Sequence, residues 1–175
     1  MGSPVSYSSI AGDIQVSPHT VKRWIEVLEA MYIVFRVTPY HRNIARAILK
    51  EPKIYFFDTG LVRGDEGKVF ENLVAVSLLK ALQYKEDTEG LETRLHFLRD
   101  KEKREVDFVI VEEGKVKELI EVKFSEVAAS RSLIYFSRLF KGASAVQVVH
   151  SQAKIRSISG VSVTPAAEWL SKLPI

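Results

Sequence analysis

The chain has 175 residues, 46% of them hydrophobic and 27% charged, with a formal net charge of +3. That is enough apolar material for a packed interior, and the charge is too balanced to mark a nucleic-acid binder by itself. There is no cysteine, which excludes disulfides and thiolate metal sites, leaves oxygen or imidazole as the ligands for any metal, and fits a reducing, cytoplasmic setting. No stretch approaches the roughly 20 apolar residues of a membrane span, and Met1-Gly2-Ser3-Pro4 lacks the regions of a signal peptide. A helical pattern begins almost at once, so the chain reads as a fragment of something longer.

Residues 6–13 predict a short helix. Ser17 then offers a side-chain N-cap, and Pro18 occupies the first helical position, where a missing N–H costs nothing. A helix over 18–32 follows, with Val21, Ile25, Leu28 and Tyr32 at helical spacing on its apolar face. Strands are expected at 33–38 and 53–58, separated by a basic segment over 40–50. Helix, turn, helix and two-stranded ribbon is the winged-helix order, and Asp58, Gly60 and Gly64 punctuate its end. This sets a boundary between residues 1–62 and 63–175.

The second part opens with a helix over 67–84, whose apolar stripe is Phe70, Leu73, Val74, Leu78 and Leu82. Strands are expected at 94–98, 105–111 and 118–124, a helix at 128–140, strands at 145–150 and 161–164, and a last helix at 166–173. The first three strands have short links and predict an antiparallel meander. The helix before residue 145 permits a right-handed parallel crossover to the fourth strand. The class is therefore α/β (α+β), a mixed sheet flanked by helices.

Two strands of this part carry charges at apolar sites. Asp107 lies within VDFVIV, and Glu121 and Lys123 lie within LIEVKF. Side chains two apart on a strand share a face, so Glu121 and Lys123 point the same way. If their strand pairs with that of Asp107, two carboxylates and an ammonium meet. Such a group suits a hard cation, Mg²⁺ or Mn²⁺, which takes carboxylate oxygens, water and phosphate. Glu71, in the preceding helix, could add a third carboxylate. Taken singly, Glu121 and Lys123 read more readily as a weak surface ion pair, Asp107 could simply pair with Lys123 or Arg104, and an acid in a first helical turn is ordinary.

Six stretches carry a resemblance to a known family: TVKRWIEVLE from Thr20, PKIYFFDTGL from Pro52, VFENLVA from Val69, HFLRD from His96, REVDFV from Arg104 and IEVK from Ile120. In order and content they resemble the C-terminal region of prokaryotic AAA+-type ATPases that carry a tail domain of unknown function. The resemblance implies a winged helix joined to a PD-(D/E)XK, restriction-endonuclease-like fold. It also implies that Glu71 matches the helix acid, Asp107 the aspartate of the PD element, with Val106 in place of its proline, and Glu121 and Lys123 the (D/E)XK element. Glu71, Asp107 and Glu121 would then hold Mg²⁺ or Mn²⁺, and Lys123 would assist the attacking water. No GxxxxGK[ST] phosphate loop is present, so an ATPase activity would belong to an N-terminal domain outside this sequence.

Three functions stay open on the sequence. One is a metal-dependent deoxyribonuclease. Another is a non-catalytic DNA- or protein-binding module that regulates the ATPase. The third is an antitoxin-like or defence-associated regulator acting through its winged helix. For DNA contact the expected residues are His19, Thr20, Lys22 and Arg23 on the helix, with Arg42, Arg46 and Lys50 from the wing region.

Overall fold

The computed structural model describes residues 4–41, 51–125, 128–151 and 154–174. Helices α1 (Tyr7–Asp13) and α2 (Pro18–Ala30) lead into strands β1 (Val34–Pro39) and β2 (Lys53–Phe56), then a 3-10 turn (Thr59–Leu61). Helix α3 (Glu66–Glu89) precedes β3 (Thr93–Arg99), β4 (Glu105–Glu112) and β5 (Lys115–Lys123). Helix α4 (Arg131–Leu139), strands β6 (Ser144–Val149), β7 (Arg156–Ile158) and β8 (Val161–Pro165), and helix α5 (Ala166–Leu170) complete the order.

Local sequence explains the punctuation. Ser17 Oγ accepts the Thr20 N–H at 3.1 Å and Pro18 opens α2, as the N-cap pattern requires. Asp65 caps α3 in the same way, accepting the Lys68 N–H at 2.9 Å. Gly90 closes α3 at φ 68°, a left-handed conformation that glycine adopts without strain. Three sequence expectations fail here. Helix α2 stops at Ala30, and Tyr32 turns to φ 55° and stands 74% exposed instead of lying on the buried face. Leu73 is 42% exposed, because the α3 face that meets the sheet is centred on Phe70, Val74 and Leu78. Helix α3 also runs past residue 84, its polar last turn tied down where Glu86 accepts the Thr93 N–H at 3.0 Å.

The eight strands among the described residues form one sheet in the order β2-β1-β3-β4-β5-β6-β8-β7. The meander β3-β4-β5 is antiparallel, and β5 pairs with β6 in parallel after the α4 crossover. The ribbon β1-β2 does not stand apart. β1 pairs in parallel with β3 at Thr38–His96 and Pro39–Phe97, which extends the sheet on that side. One apolar layer lies between α3 and the sheet and includes Tyr55, Phe70, Leu78, Phe97, Phe108 and Trp169. A second lies under α4 and includes Val109, Leu119, Leu133, Phe136 and Val163.

Helix α3 grips the outer strand through a buried amide. Asn72 Oδ1 accepts the Phe56 N–H at 2.8 Å, and its Nδ2 donates to the Phe56 carbonyl at 2.9 Å and to Thr59 Oγ1 at 3.2 Å. Deleting that side chain strands both groups of one peptide and opens a cavity. Asn72→Ala should therefore lower the unfolding free energy by about 2–3 kcal/mol, read as a lower urea midpoint at unchanged slope. A shift no larger than that of an exposed-site control would refute the clamp.

Candidate acidic and lysine centre

The β4–β5 ladder has its last paired residues at Phe108 and Ile120. Just beyond, the Asp107 side chain takes the place of a backbone acceptor: its Oδ2 accepts the Val122 N–H at 3.0 Å. That bond fixes Asp107 between the two strands. Glu121 and Lys123 lie on one face of β5, as alternation requires, with Lys123 Nζ 3.0 Å from Glu121 Oε1. Glu121 is buried, and its other oxygen, Oε2, has no hydrogen-bond partner among the described residues.

The cation at the middle of the cluster is Lys53, the first residue of β2. Its side chain has no exposed surface, and its Nζ lies 2.8 Å from Glu105 Oε1, 3.2 Å from Asp107 Oδ1 and 3.5 Å from Glu71 Oε1. The same nitrogen lies over the Phe97 ring at 5.5 Å from its centroid, beside the irregularity in β3 between His96 and Leu98. Tyr55, two residues on, donates its hydroxyl to Glu71 Oε1 at 2.6 Å. Glu105 also meets Arg99 at 3.3 Å.

The structure thus brings Glu71, Asp107, Glu121 and Lys123 into one neighbourhood and adds Lys53, Tyr55 and Glu105, which the sequence reading left out. The signal for them was present. Lys53 heads an apolar strand just as Asp107 interrupts one, and period-two spacing puts Tyr55 on the face of Lys53 and Glu105 on the face of Asp107. Among the described residues, no three His, Asp or Glu side chains close on one point at metal-ligand spacing. His19, Lys22 and Arg23 are exposed on α2, while the Thr20 hydroxyl is engaged with Ser17 Oγ at 2.8 Å. Arg42, Arg46 and Lys50 lie outside the described residues.

Electrostatics follow from burial and charge. Burial and then the charge of Asp107 raise the Glu71 carboxyl above the ordinary range, against the pull of Lys53. Burial would lower the Lys53 ammonium, but Asp107, Glu71 and Glu105 together outweigh it and hold it above the usual lysine range. Burial pushes the Tyr55 hydroxyl up, with Glu71 adding to the effect. Glu121 is raised from 4.5 to about 7, first by burial and then by Asp107, with Lys123 opposing.

Residues 1–64 match a domain of unknown function, DUF8612, and residues 66–169 match a second, DUF4143. The chain belongs to the DUF4143 family. DUF4143 domains occur at the C-terminus of AAA-type ATPase proteins. The uncharacterized proteins Rv2008c of Mycobacterium tuberculosis and Mb2031c of Mycobacterium bovis are each 33% identical to this chain over 61 residues. The matched stretch covers 35% of this chain and 14% of each relative, so the chain corresponds to a small part of those proteins. No solved structure matches. No helix among the described residues of this DUF4143 chain is long and apolar enough to cross a membrane.

The Glu121 shift makes stability depend on pH. The folded chain holds this proton more tightly than the unfolded chain, so the contribution is complete below about 4.5 and is lost as pH rises to about 7. Over that interval the chain should lose on the order of 2–3 kcal/mol relative to Glu121→Gln. Urea unfolding of both proteins across the pH range checks this, and parallel curves would refute it.

Proposed function

We propose that this centre is the phosphodiester-hydrolysing site of a metal-dependent DNA nuclease-like domain. In this reading, residues 63–175 form a PD-(D/E)XK, restriction-endonuclease-like unit, and residues 1–62 form a winged-helix-like unit within a larger ATPase. The supporting observation is the convergence of Glu71 from α3, Asp107 from β4, and Glu121 and Lys123 from β5 where the β4–β5 pairing stops. The residues suit a hard divalent cation, because the buried Glu121 Oε2, with no hydrogen-bond partner among the described residues, is a costly acceptor that such an ion would satisfy. Glu121 and Asp107 would hold Mg²⁺ or Mn²⁺, with Glu71 behind them. When bound, the ion supplies polarisation of the phosphate and acidification of a water.

The side chains of this chain supply the rest. The Val122 N–H holds Asp107 in place, and Tyr55 and Lys53 hold Glu71, so the carboxylates are fixed before substrate arrives. Lys123 is half-buried beside Glu121, where its ammonium orients the attacking water and offsets charge gathering on the phosphate oxygens. Water adds to phosphorus, one P–O ester bond breaks, and the departing oxygen takes a proton. DNA would approach along exposed His19, Lys22 and Arg23, with Arg42 and Arg46 as further contacts in this proposal.

A second reading, a non-catalytic docking role for the N-terminal unit, is favoured by one observation. Trp24 and Val27 on α2, with Met31 at its C-cap, are 49%, 49% and 63% exposed, an apolar stripe that suits a protein surface better than a phosphate backbone.

Cleavage of plasmid and branched DNA by the purified chain in Mn²⁺ tests the nuclease reading. The chain should nick DNA only with the metal. Asp107→Ala and Lys123→Ala should each reduce the rate by about a hundredfold or more. Absence of metal-dependent cleavage in the wild-type chain would count against catalysis and for the docking role.

A further inference from the structure

We propose that the carboxylate cluster takes one divalent cation per chain, on the Glu121 side of Asp107, and that the Lys53 ammonium is a fixed cation standing where a second would bind. This rests on the reading of the cluster as a metal-dependent centre, and it concerns a residue contributed by β2, outside the strands that carry the acids.

Geometry carries the argument. Lys53 Nζ faces three carboxylate oxygens at 2.8, 3.2 and 3.5 Å, from Glu105, Asp107 and Glu71. An ammonium has three N–H donors and no acceptor, so this set uses its full capacity. The spacings suit N–H···O contacts and exceed the roughly 2.0–2.1 Å of magnesium coordination. β2 is separated from β4 by β1 and β3 in the sheet, yet the wholly buried Lys53 side chain reaches β4. Three acids drawn from a helix and a strand around one buried charge form a cation site with its cation built in.

Charge decides how many further cations fit. The carboxylates are Glu71, Glu105, Asp107 and Glu121, and the cationic partners are Lys53, Lys123 and Arg99. With all four carboxylates ionised, four against three leaves one negative charge, the largest excess this set can carry. A single divalent ion reverses that excess by one unit, which the anionic phosphate of a substrate offsets. Two such ions, in centres where they lie about 3.5–4 Å apart, would leave a surplus of three positive charges. One of them would also have to share the oxygens that Lys53 already holds. Glu121 Oε2, by contrast, is buried and has no hydrogen-bond partner among the described residues, which leaves free coordination capacity at that carboxylate.

Mn²⁺ titration followed by electron paramagnetic resonance, which reads free aquo ion, counts bound ions directly and needs no substrate. The wild-type chain should bind one Mn²⁺. Lys53→Gln should bind two, because removing the ammonium frees Glu71, Glu105 and Asp107. Its melting temperature should also rise more with Mn²⁺ than that of the wild type. Lys53→Arg, which keeps the charge, should bind one. Two ions on the wild-type chain, or one on Lys53→Gln, would overturn the inference while leaving a metal-dependent centre in place. No ion on either protein would overturn the metal reading itself. Should Lys53→Gln fail to fold, the wild-type and Lys53→Arg counts decide: one on each supports the inference, and two on either overturns it.

Discussion

A lysine without solvent is the constraint on which this structure turns. An ammonium cannot be buried alone, because the loss of hydration far exceeds what an apolar surrounding returns. Lys53 is buried with three carboxylates, and those carboxylates, crowded by one another, need it equally. The requirement is mutual. It ties the outer strand β2 to β4 and α3, and it makes the boundary near residue 62 a boundary in sequence more than in energetics. The parallel pairing of β1 with β3 and the Asn72 amide on Phe56 strengthen the same link.

Much of this architecture was legible in the residues. Ser17-Pro18 announced α2, the short links announced the β3-β4-β5 meander, and Asp107 stood out because charge in an apolar strand demands a partner. Period-two alternation put Glu121 beside Lys123, as found. Other features were hidden by the length of chain between partners. Thr38 pairs beside His96 and Lys53 meets Asp107 across more than fifty residues, and no local pattern specifies such a meeting. The misplacement of Tyr32 and Leu73 has another cause. Periodicity marks which residues are apolar, but the neighbouring elements decide which apolar face is covered.

Helix α2 faces two ways. Its inner side is anchored through Glu29, which meets Arg36 of β1 at 2.6 Å and accepts the Arg36 N–H at 3.1 Å. Its outer side combines a polar first turn with Trp24 and Val27, continued by Met31 at its C-cap. A helix held so firmly from behind presents its outer side with little conformational cost.

The Asn72 amide has a consequence beyond stability. A strand at the margin of a sheet exposes unpaired peptide groups that can recruit a strand from another molecule. At one margin, β2 has only four residues, and the side chain of a helix already occupies the peptide of Phe56. At the other, β7 has only three residues. Among the described residues little backbone is free at either margin, so neighbouring copies would find a poor template there for edge-to-edge growth of the sheet.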